Sequence, residues 1–261
     1  MKITVLSENT AISENLASEH GLSLYIETEN HKILFDTGQS DIFYKNATIL
    51  GIDLSEVDIA VISHGHYDHG GGLKRFMEIN SSAPIYISTH AFDSYFSQNG
   101  SIGLDASLKD NPRFVKVNDK YEIEDGLEII PSGNIKLKFK VESYGLETLK
   151  DGLYVPDKFN HEQYLKISEN DKTVIISGCS HKGILNIMNH FYPDVLIGGF
   201  HFMKIDPDTE NEKLKLISSW LSQYNTHYYT CHCTGLSQYQ VIKSVMGKNL
   251  NYISTGSNIK I

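Results

Sequence analysis

The feature that most constrains this chain is a histidine-rich segment, SHGHYDHGGG, which directly follows the apolar run VDIAVIS. A short, almost wholly apolar run of this kind is typical of a strand buried on both faces of a layered α/β protein. Side chains two residues apart on an extended chain point the same way, so His64 and His66 can bind one cation. Asp68 and His69 follow and can reach a second position, and the next three glycines permit close backbone approach. The segment therefore predicts a metal site at the end of a buried strand.

Imidazole and carboxylate ligands together suit zinc, and iron and manganese also accept them. The alternative is a polar turn that happens to be rich in histidine. Three histidines and one aspartate within six residues at a strand end favour the metal site. We therefore expect one or two Zn²⁺ ions per chain, with Mn²⁺ or Fe²⁺ as the other candidates.

Strand-like and helix-like runs alternate along most of the chain, from KITVL near the start to LNYIS near the end. This alternation predicts a sheet-rich α/β architecture. Residues 91–120 are weakly periodic and contain glycine and proline, so they form either an excursion over the active site or a surface loop. Because no repeat or linker interrupts the chain, we expect one domain over residues 1–261.

Composition excludes several classes of function. The net charge of −9 argues against nucleic acid or an anionic membrane as a partner. No apolar run approaches the roughly 20 residues of a membrane helix, and the start lacks the apolar core of a signal peptide. Three cysteines do not suggest a disulfide framework, so a cytoplasmic protein with reduced thiols is expected. The oligomeric state is open, and a homo-oligomer is one alternative.

The pattern H-x-H-x-D-H after a buried strand, preceded by ILFDTG with Asp36, resembles the metallo-β-lactamase fold superfamily. The resemblance implies an αββα sandwich, in which two mixed sheets lie face to face, helices lie outside, and one edge carries a one- or two-metal site. The segments EHGLSLYIE, FDTGQSD, SGCSHKGILNI, IGGFH and CHCTG, in that order, narrow the resemblance to the branch with the dihydropteroate-synthase-like enzymes of methanopterin biosynthesis. Asp36 would orient a ligand histidine rather than bind metal.

The superfamily usually adds three downstream ligands: a middle histidine, a bridging aspartate and a final histidine. Here the strand-like TVIISG is followed by Cys179 and His181 without an aspartate, and the middle histidine has no obvious counterpart. We expect His181 to replace one of these ligands. Cys179 is either a thiolate ligand near the bridge position or a small buried hydrophobe. His232 of CHCTG resembles the final histidine.

Cysteines flank His232 on a strand-like run, so Cys231 and Cys233 are expected to point away from it and to act as core residues. His201 follows the apolar run VLIGG at another strand end. It is a ligand, a proton donor, a substrate contact or a hydrogen-bonded structural residue. His227 is expected to be a polar residue at the start of a strand. The remaining histidines have no supporting pattern and are expected to be solvated or satisfied in the core: His20, His31, His90, His161 and His190.

Three functions remain open. The first is a metal-dependent hydrolase of a small anionic, phosphate ester-like substrate, in which Asp68 orients the attacking water and His201 or Lys182 assists the leaving group. The second, implied by the resemblance, is a transferase that couples dihydropterin-methyl diphosphate to a ribofuranosyl-aminobenzene phosphate, so that its substrate is pterin-like. The third is a non-catalytic ligand-sensing module that retains the fold. Because the same ligand residues serve the hydrolase and the transferase, only the substrate pocket and assays separate those two, whereas protein without metal or without turnover would favour the sensing module.

Overall fold

The structure, a computed structural model, describes residues 1–261. It contains two seven-stranded sheets and one four-stranded sheet. Numbered in chain order and given in spatial order, the strands of the first sheet are β18 (Asn258–Lys260), β1 (Lys2–Ser7), β2 (Ser23–Glu27), β3 (Lys32–Phe35), β4 (Ile59–Val61), β5 (Ile85–Ser88) and β8 (Phe114–Val117). Those of the second sheet are β17 (Leu250–Tyr252), β16 (His227–Thr230), β15 (Val195–Gly198), β14 (Lys172–Ile176), β13 (Gln163–Glu169), β10 (Leu127–Pro131) and β9 (Tyr121–Glu124).

Both large sheets are mixed. In the first sheet, the strands from β18 to β3 pair antiparallel, and those from β3 to β8 pair parallel. In the second sheet, the strands from β17 to β14 pair parallel, and those from β14 to β9 pair antiparallel. The carboxyl ends of β14, β15 and β16 therefore lie at one edge of the second sheet.

The structure has six helices, of which all but the shortest, a four-residue helix in the histidine-rich loop, cover the outer faces of the sheets. They are α1 (Ile42–Ile49), α2 (Tyr67–Gly70), α3 (Leu73–Ile79), α4 (Ile184–Phe191), α5 (Asn211–Leu221) and α6 (Leu236–Met246). Single 3-10 turns occur at Leu54–Glu56, Ala106–Leu108, Ser132–Asn134, His232–Thr234 and Gly247–Asn249. The longest helices have 11 residues, and none combines the length and the apolar character that crossing a bilayer requires.

Alternating side chains build three apolar layers. Val61, Val174 and Ile176 belong to a 22-residue cluster that joins the inner faces of both large sheets. Ala60, on the opposite face of β4, belongs to a cluster shared with α1 and α3, and Ile175 belongs to one shared with α4, α5 and α6. This period-two alternation between an inner and an outer core produces helix, sheet, sheet and helix layers. The predicted αββα sandwich of two mixed sheets is confirmed.

A small third sheet lies against the histidine-rich loop. Its strands, in spatial order, are β12 (Leu153–Pro156), β11 (Glu147–Lys150), β6 (Tyr95–Ser97) and β7 (Gly100–Ser101). The chain just after β7 pairs with the loop, since His66 forms an isolated bridge with Gly103 and the Tyr67 amide donates to the Ile102 carbonyl at 2.9 Å. Within the stretch 91–120, residues 95–103 therefore form an excursion over the histidine-rich loop, whereas Phe114–Val117 is the edge strand β8 of the first sheet.

Candidate metal centre

The polar segments singled out in the sequence converge at one edge of the sandwich. The chain leaves β4 into the histidine-rich loop, β14 into Cys179 and His181, β15 into His201, and β16 into His232. The last three strands are parallel neighbours, so their carboxyl ends share an edge, and the facing sheet brings the end of β4 to the same place. The structure brings together every residue predicted as a metal ligand: His64, His66, Asp68, His69, Cys179, His181 and His232.

The first donor group consists of His64, His66 and His181. The Nε2 atoms of His64 and His181 lie 3.3 Å apart. The ring of His66 has its centroid 4.5 Å from that of His64 and 5.0 Å from that of His181. Nε2 of His66 is buried and has no hydrogen-bond partner, which is rare for a polar atom inside a protein. Three imidazoles thus surround one small volume.

The second donor group consists of Asp68, His69 and His232. The Nε2 atoms of His69 and His232 lie 3.2 Å apart, and Oδ2 of Asp68 lies 3.2 Å from Nε2 of His232 and 3.7 Å from Nε2 of His69. Tetrahedral zinc, with bonds of about 2.0 to 2.1 Å to nitrogen, separates its nitrogen ligands by about 3.3 to 3.4 Å. The separation of the His64 and His181 nitrogens in the first group, and the separations of all three donors in the second, fit a bound divalent cation of this size.

Cys179 lies between the two donor groups. Its sulfur is 3.2 Å from Nε2 of His69, and it belongs both to a cluster with His64 and His181 and to one with His69 and His232, with all donor atoms of each within 4.8 Å of one another. Burial raises the pKa of this thiol well above its usual range. A divalent cation would reverse that effect, because a coordinated thiol loses its proton. Cys179 is thus buried, as the hydrophobe alternative expects, and its sulfur lies near the donor atoms of both groups, as the ligand alternative expects.

The protonation states of the two donor groups differ. Burial, together with the neighbouring imidazoles, lowers the pKa of His66 to about 3 and those of His64 and His181 well below the usual value. Burial also acts to lower the pKa of His69, but the carboxylates of Asp36 and Asp68 outweigh it and raise that pKa to about 9. The imidazoles of the first donor group are therefore neutral, with lone pairs that can bind a cation. The ring of His69, in contrast, is kept protonated by the two neighbouring carboxylates.

Asp36 orients the histidine-rich loop, as expected. Its carboxylate lies 2.7 Å from Nδ1 of His69 and accepts hydrogen bonds from the amide and the hydroxyl of Ser63, each at 2.7 Å. Because the Ser63 hydroxyl donates to Asp36, it can only accept from Nδ1 of His64, 2.8 Å away. Nδ1 of both histidines then carries a proton, so that Nε2 is the nitrogen that faces a metal position, and a metal ion at His69 would displace the second proton of that ring.

One expectation about the cysteines was wrong. Cys231 lies in the core between the sheets, but Cys233 points toward the candidate centre, where its sulfur clusters with Cys179 and His201. The alternation expected of a strand fails because β16 ends at Thr230, and His232 adopts a left-handed conformation, with φ of 49°, at the start of a 3-10 turn. The thiol of Cys233 donates to the Cys179 carbonyl at 3.5 Å.

Two histidines without any sequence signal also lie at the centre. His161 is buried, accepts the Gly65 amide proton at 2.9 Å through Nδ1, and lies 2.9 Å from Asp157 through Nε2. Both ring nitrogens thus have hydrogen-bond partners, through which His161 supports the loop. His161 also forms a cluster with His66 and Asp157, in which all donor atoms lie within 4.8 Å of one another. His20 is exposed, with Nε2 3.4 Å from Oδ2 of Asp68. His20 and His161 lie far along the chain from the H-x-H-x-D-H segment, so no motif spacing indicates them in the sequence.

The two further candidates for catalysis lie beside His181. His201 has φ of 58°, its ring centroid lies 4.3 Å from that of His181, and its Nε2 is buried without a hydrogen-bond partner. The ammonium group of Lys182 donates to the Lys158 carbonyl at 2.5 Å and to the Asn160 side chain at 3.3 Å. Burial lowers the pKa of Lys182.

A cavity of about 1420 Å³ opens next to the candidate centre, between the third sheet and the turn after β10. Its acidic lining residues have cationic or histidine partners: Asp93 with His90, Glu142 with Lys140, and Asp157 with His161. Its basic lining residues have no carboxylate partner: Lys109, Lys150, Lys158 and Lys182. The lining contains four lysines and three acidic residues, so the wall carries a small excess of positive charge, although the chain as a whole carries a net charge of −9.

Two facing mixed sheets with outer helices and a histidine-rich centre at the sheet edge define an αββα protein with a candidate metal site. The chain belongs to the metallo-β-lactamase superfamily, whose family model matches residues 19–217. The resemblance drawn from the motifs is thereby confirmed.

Several relatives extend over the whole chain. A 7,8-dihydropterin-6-methyl-4-(β-D-ribofuranosyl)-aminobenzene-5'-phosphate synthase of Methanocaldococcus jannaschii is 30% identical, with 100% of this chain and 96% of the relative covered. A solved metal-dependent hydrolase of the β-lactamase superfamily is 31% identical, with a TM-score of 0.84 and coverage of 100% and 99%. Zn²⁺-bound PqqB of Methylobacterium extorquens, at 11% identity, a TM-score of 0.61 and full coverage of both chains, shares the fold.

Proposed function

We propose that this protein is a metal-dependent hydrolase that cleaves a phosphate ester or diphosphate bond in a small anionic organic substrate. The observation that carries the proposal is the lysine-lined cavity beside two converging groups of metal-binding side chains. A hydrolytic activity is also named for the solved relative at 31% identity, which spans the whole chain.

In this proposal the first donor group holds one divalent ion, the second donor group holds another, and Cys179 lies between them. A bound divalent ion of this kind polarises a phosphate oxygen and lowers the pKa of water toward about 7. We favour Zn²⁺, because nitrogen, carboxylate and thiolate donors together suit it.

The remaining side chains have separate tasks. An ammonium group has three donors, and Lys182 uses two of them on Lys158 and Asn160, so the third is available for an anionic oxygen of the substrate. Asp68, held by His20 and His232 through one oxygen, orients the attacking water or takes its proton. His201, whose Nε2 has no partner, donates a proton to the departing oxygen.

A second candidate is transfer of a pterin-methyl group from its diphosphate to an arylamine. The relative named as the aminobenzene-phosphate synthase favours it, because the alignment covers 100% of this chain. A cavity of about 1420 Å³ is large enough for a pterin and is larger than a phosphate group alone requires. The same donor groups serve both reactions, so the difference lies in whether water or an amine attacks.

The test is an activity panel on protein whose metal content has been measured. Phosphomonoesters, phosphodiesters and organic diphosphates are offered alone, and dihydropterin-methyl diphosphate is offered with and without ribofuranosyl-aminobenzene phosphate. Hydrolysis without the arylamine supports the first proposal, and a coupled product formed in preference to hydrolysis supports the second. Protein that holds its metal and turns over none of these is a ligand-sensing module instead.

A further inference from the structure

Two buried glutamates lie behind the loops that carry His181 and His232. Glu8 and Glu162 are both fully buried, and neither forms a salt bridge with lysine or arginine. Carboxylates are almost never fully buried unless they are strongly hydrogen-bonded or paired. The burial of these two carboxylates therefore requires an explanation, and the proposed reaction does not provide one.

Glu162 holds the loop after β14. One carboxylate oxygen accepts the backbone N–H of His181 at 2.7 Å. The other accepts the backbone N–H of Lys182 at 3.0 Å and the hydroxyl of Tyr164 at 2.5 Å. In all three contacts Glu162 is the acceptor. Ser180, which precedes His181, has a left-handed backbone with φ of 57°.

Glu8 holds the loop after β16 in the same way. One oxygen accepts the backbone N–H of His232 and the hydroxyl of Tyr252, each at 2.6 Å. The other accepts the backbone N–H and the hydroxyl of Thr10, each at 2.7 Å. His232 itself has the left-handed backbone, with φ of 49°, a conformation that persists only where surrounding contacts enforce it.

The two glutamates thus make the same contact on different donor groups. Each accepts the main-chain N–H of one histidine whose Nε2 points at a candidate metal position. Asp36 makes the corresponding contact in the histidine-rich loop, where its carboxylate accepts the backbone N–H of Ser63. All three ligand-bearing loops are therefore tied to a fully buried carboxylate.

We propose that Glu8 and Glu162 are positioning residues, each of which aligns one metal-binding histidine: Glu162 aligns His181 in the first donor group, and Glu8 aligns His232 in the second. The proposal rests on the metal-binding part of the proposed function. Both act through the backbone of a ligand, and neither touches the metal positions.

Glutamine is the informative substitution. It keeps the shape of the side chain, but its NH₂ group cannot accept a hydrogen bond. Because every contact of both carboxylates comes from a donor, each variant sets an NH₂ group against at least one donor. Loss of a residue that orients a metal ligand typically lowers metal affinity about 10- to 100-fold.

The experiment titrates metal-free wild type, Glu8→Gln and Glu162→Gln with Zn²⁺ in competition with a chelator, and with Co²⁺ for its absorption spectrum. We expect Glu8→Gln to lose about 10- to 100-fold in affinity at one position only, namely the position that His232→Ala removes. Glu162→Gln should weaken the other position, namely the one that His181→Ala removes, and the Co²⁺ spectra of the two alanine variants identify which position is affected. Glu128→Gln is the matched control, since Glu128 is a buried carboxylate on β10 that pairs with Lys120 and Lys166.

A folded Glu8→Gln or Glu162→Gln with wild-type affinity at both positions overturns the proposal. An equal loss at both positions in all three variants, including the control, also overturns it, because that pattern reports general destabilisation. If wild type binds neither Zn²⁺ nor Co²⁺, the proposed function fails instead.

A second measurement needs no variant. In metal-free wild type, amide hydrogen exchange at His181 and His232 should be slow, because their N–H groups are buried and bonded to carboxylates before any metal arrives. Exchange as fast as that of exposed loop amides would show that the glutamates do not hold these loops, and would contradict the proposal even if a glutamine variant failed to fold.

Discussion

The two donor groups lie side by side yet differ in charge and in surroundings. The first contains only imidazoles, all with lowered pKa values, and it borders the lysine-lined cavity through Lys182 and Asp157. The second contains the carboxylate of Asp68 and is backed by Asp36. Negative charge attracts a divalent cation, whereas neutral imidazoles offer only their lone pairs. We infer that the second group is the tighter metal position and the first is the one that faces the substrate.

The largest effect should come from removing His69. His69→Ala deletes a donor that lies 3.2 Å from Nε2 of His232 and 3.2 Å from the sulfur of Cys179. We expect the tighter of two Zn²⁺ affinities to fall by more than about 100-fold, beyond the loss typical of residues that only orient a ligand. Calorimetric titration of the metal-free protein measures this, and a tight site that survives would break the assignment.

Removing His66 should have the complementary effect. His66→Ala takes away the unpaired Nε2 of the first donor group. We expect the weaker Zn²⁺ to be lost and turnover to disappear, while the tighter ion stays bound. Elemental analysis after dialysis should then show one ion where wild type holds two. Full occupancy in this variant would count against the whole arrangement.

Cys179 lies near the donors of both groups, so its substitution should weaken Zn²⁺ binding at both positions and not at one alone. Cys179→Ser replaces a soft thiolate with a hydroxyl that is a much weaker ligand at neutral pH. We expect both Zn²⁺ affinities to fall by roughly 10- to 100-fold. Co²⁺-loaded wild type should also show a sulfur-to-metal charge-transfer band that the variant lacks.

Cys231→Ser is the matched control for this test, because Cys231 is equally buried but lies in the core between the sheets. Its metal content and Co²⁺ spectrum should match wild type. Unchanged stoichiometry and spectrum in Cys179→Ser would instead return Cys179 to the role of a buried apolar residue.

The smallest effect should come from substituting Lys182. This substitution tests whether the substrate binds in the cavity beside the first donor group. Lys182→Met removes a cation from the cavity wall but no metal donor. A hydrogen bond to a charged group contributes about 1.5 to 3 kcal/mol, so KM for an anionic substrate should rise roughly 10- to 100-fold. Metal content should not change. Lys172→Met, on the exposed start of β14, is the control, and an unaltered KM in Lys182→Met would place the substrate elsewhere.

Much of the centre was predictable because its ligands follow strands. The H-x-H-x-D-H segment and the histidines after β14 and β16 are found by asking which polar residues end apolar runs. The αββα layers follow from the alternation of strands and helices together with the family resemblance. The family is shown by the comparisons, whereas the metal-binding and catalytic roles of the individual residues stay predictions.

What sequence reasoning missed has a common cause. Glu8 bonds His232 across 224 positions of the chain, and His161 bonds Gly65 across 96, so no local spacing reports either contact. Cys233 was misplaced because a strand pattern was extended past Thr230 into a left-handed turn. Periodicity describes residues within one element, but this centre is assembled between elements.

The contact between Glu8 and His232 has a consequence for the protein while it is being synthesised. The first donor group and its supporting Glu162 lie within residues 64–182, so a nascent chain can present them early. The second needs both Glu8, just after β1, and His232, and β1 gains its outer neighbour only when β18 emerges. On the ribosome, the position that we infer to be tighter in the finished protein is thus the later of the two to mature.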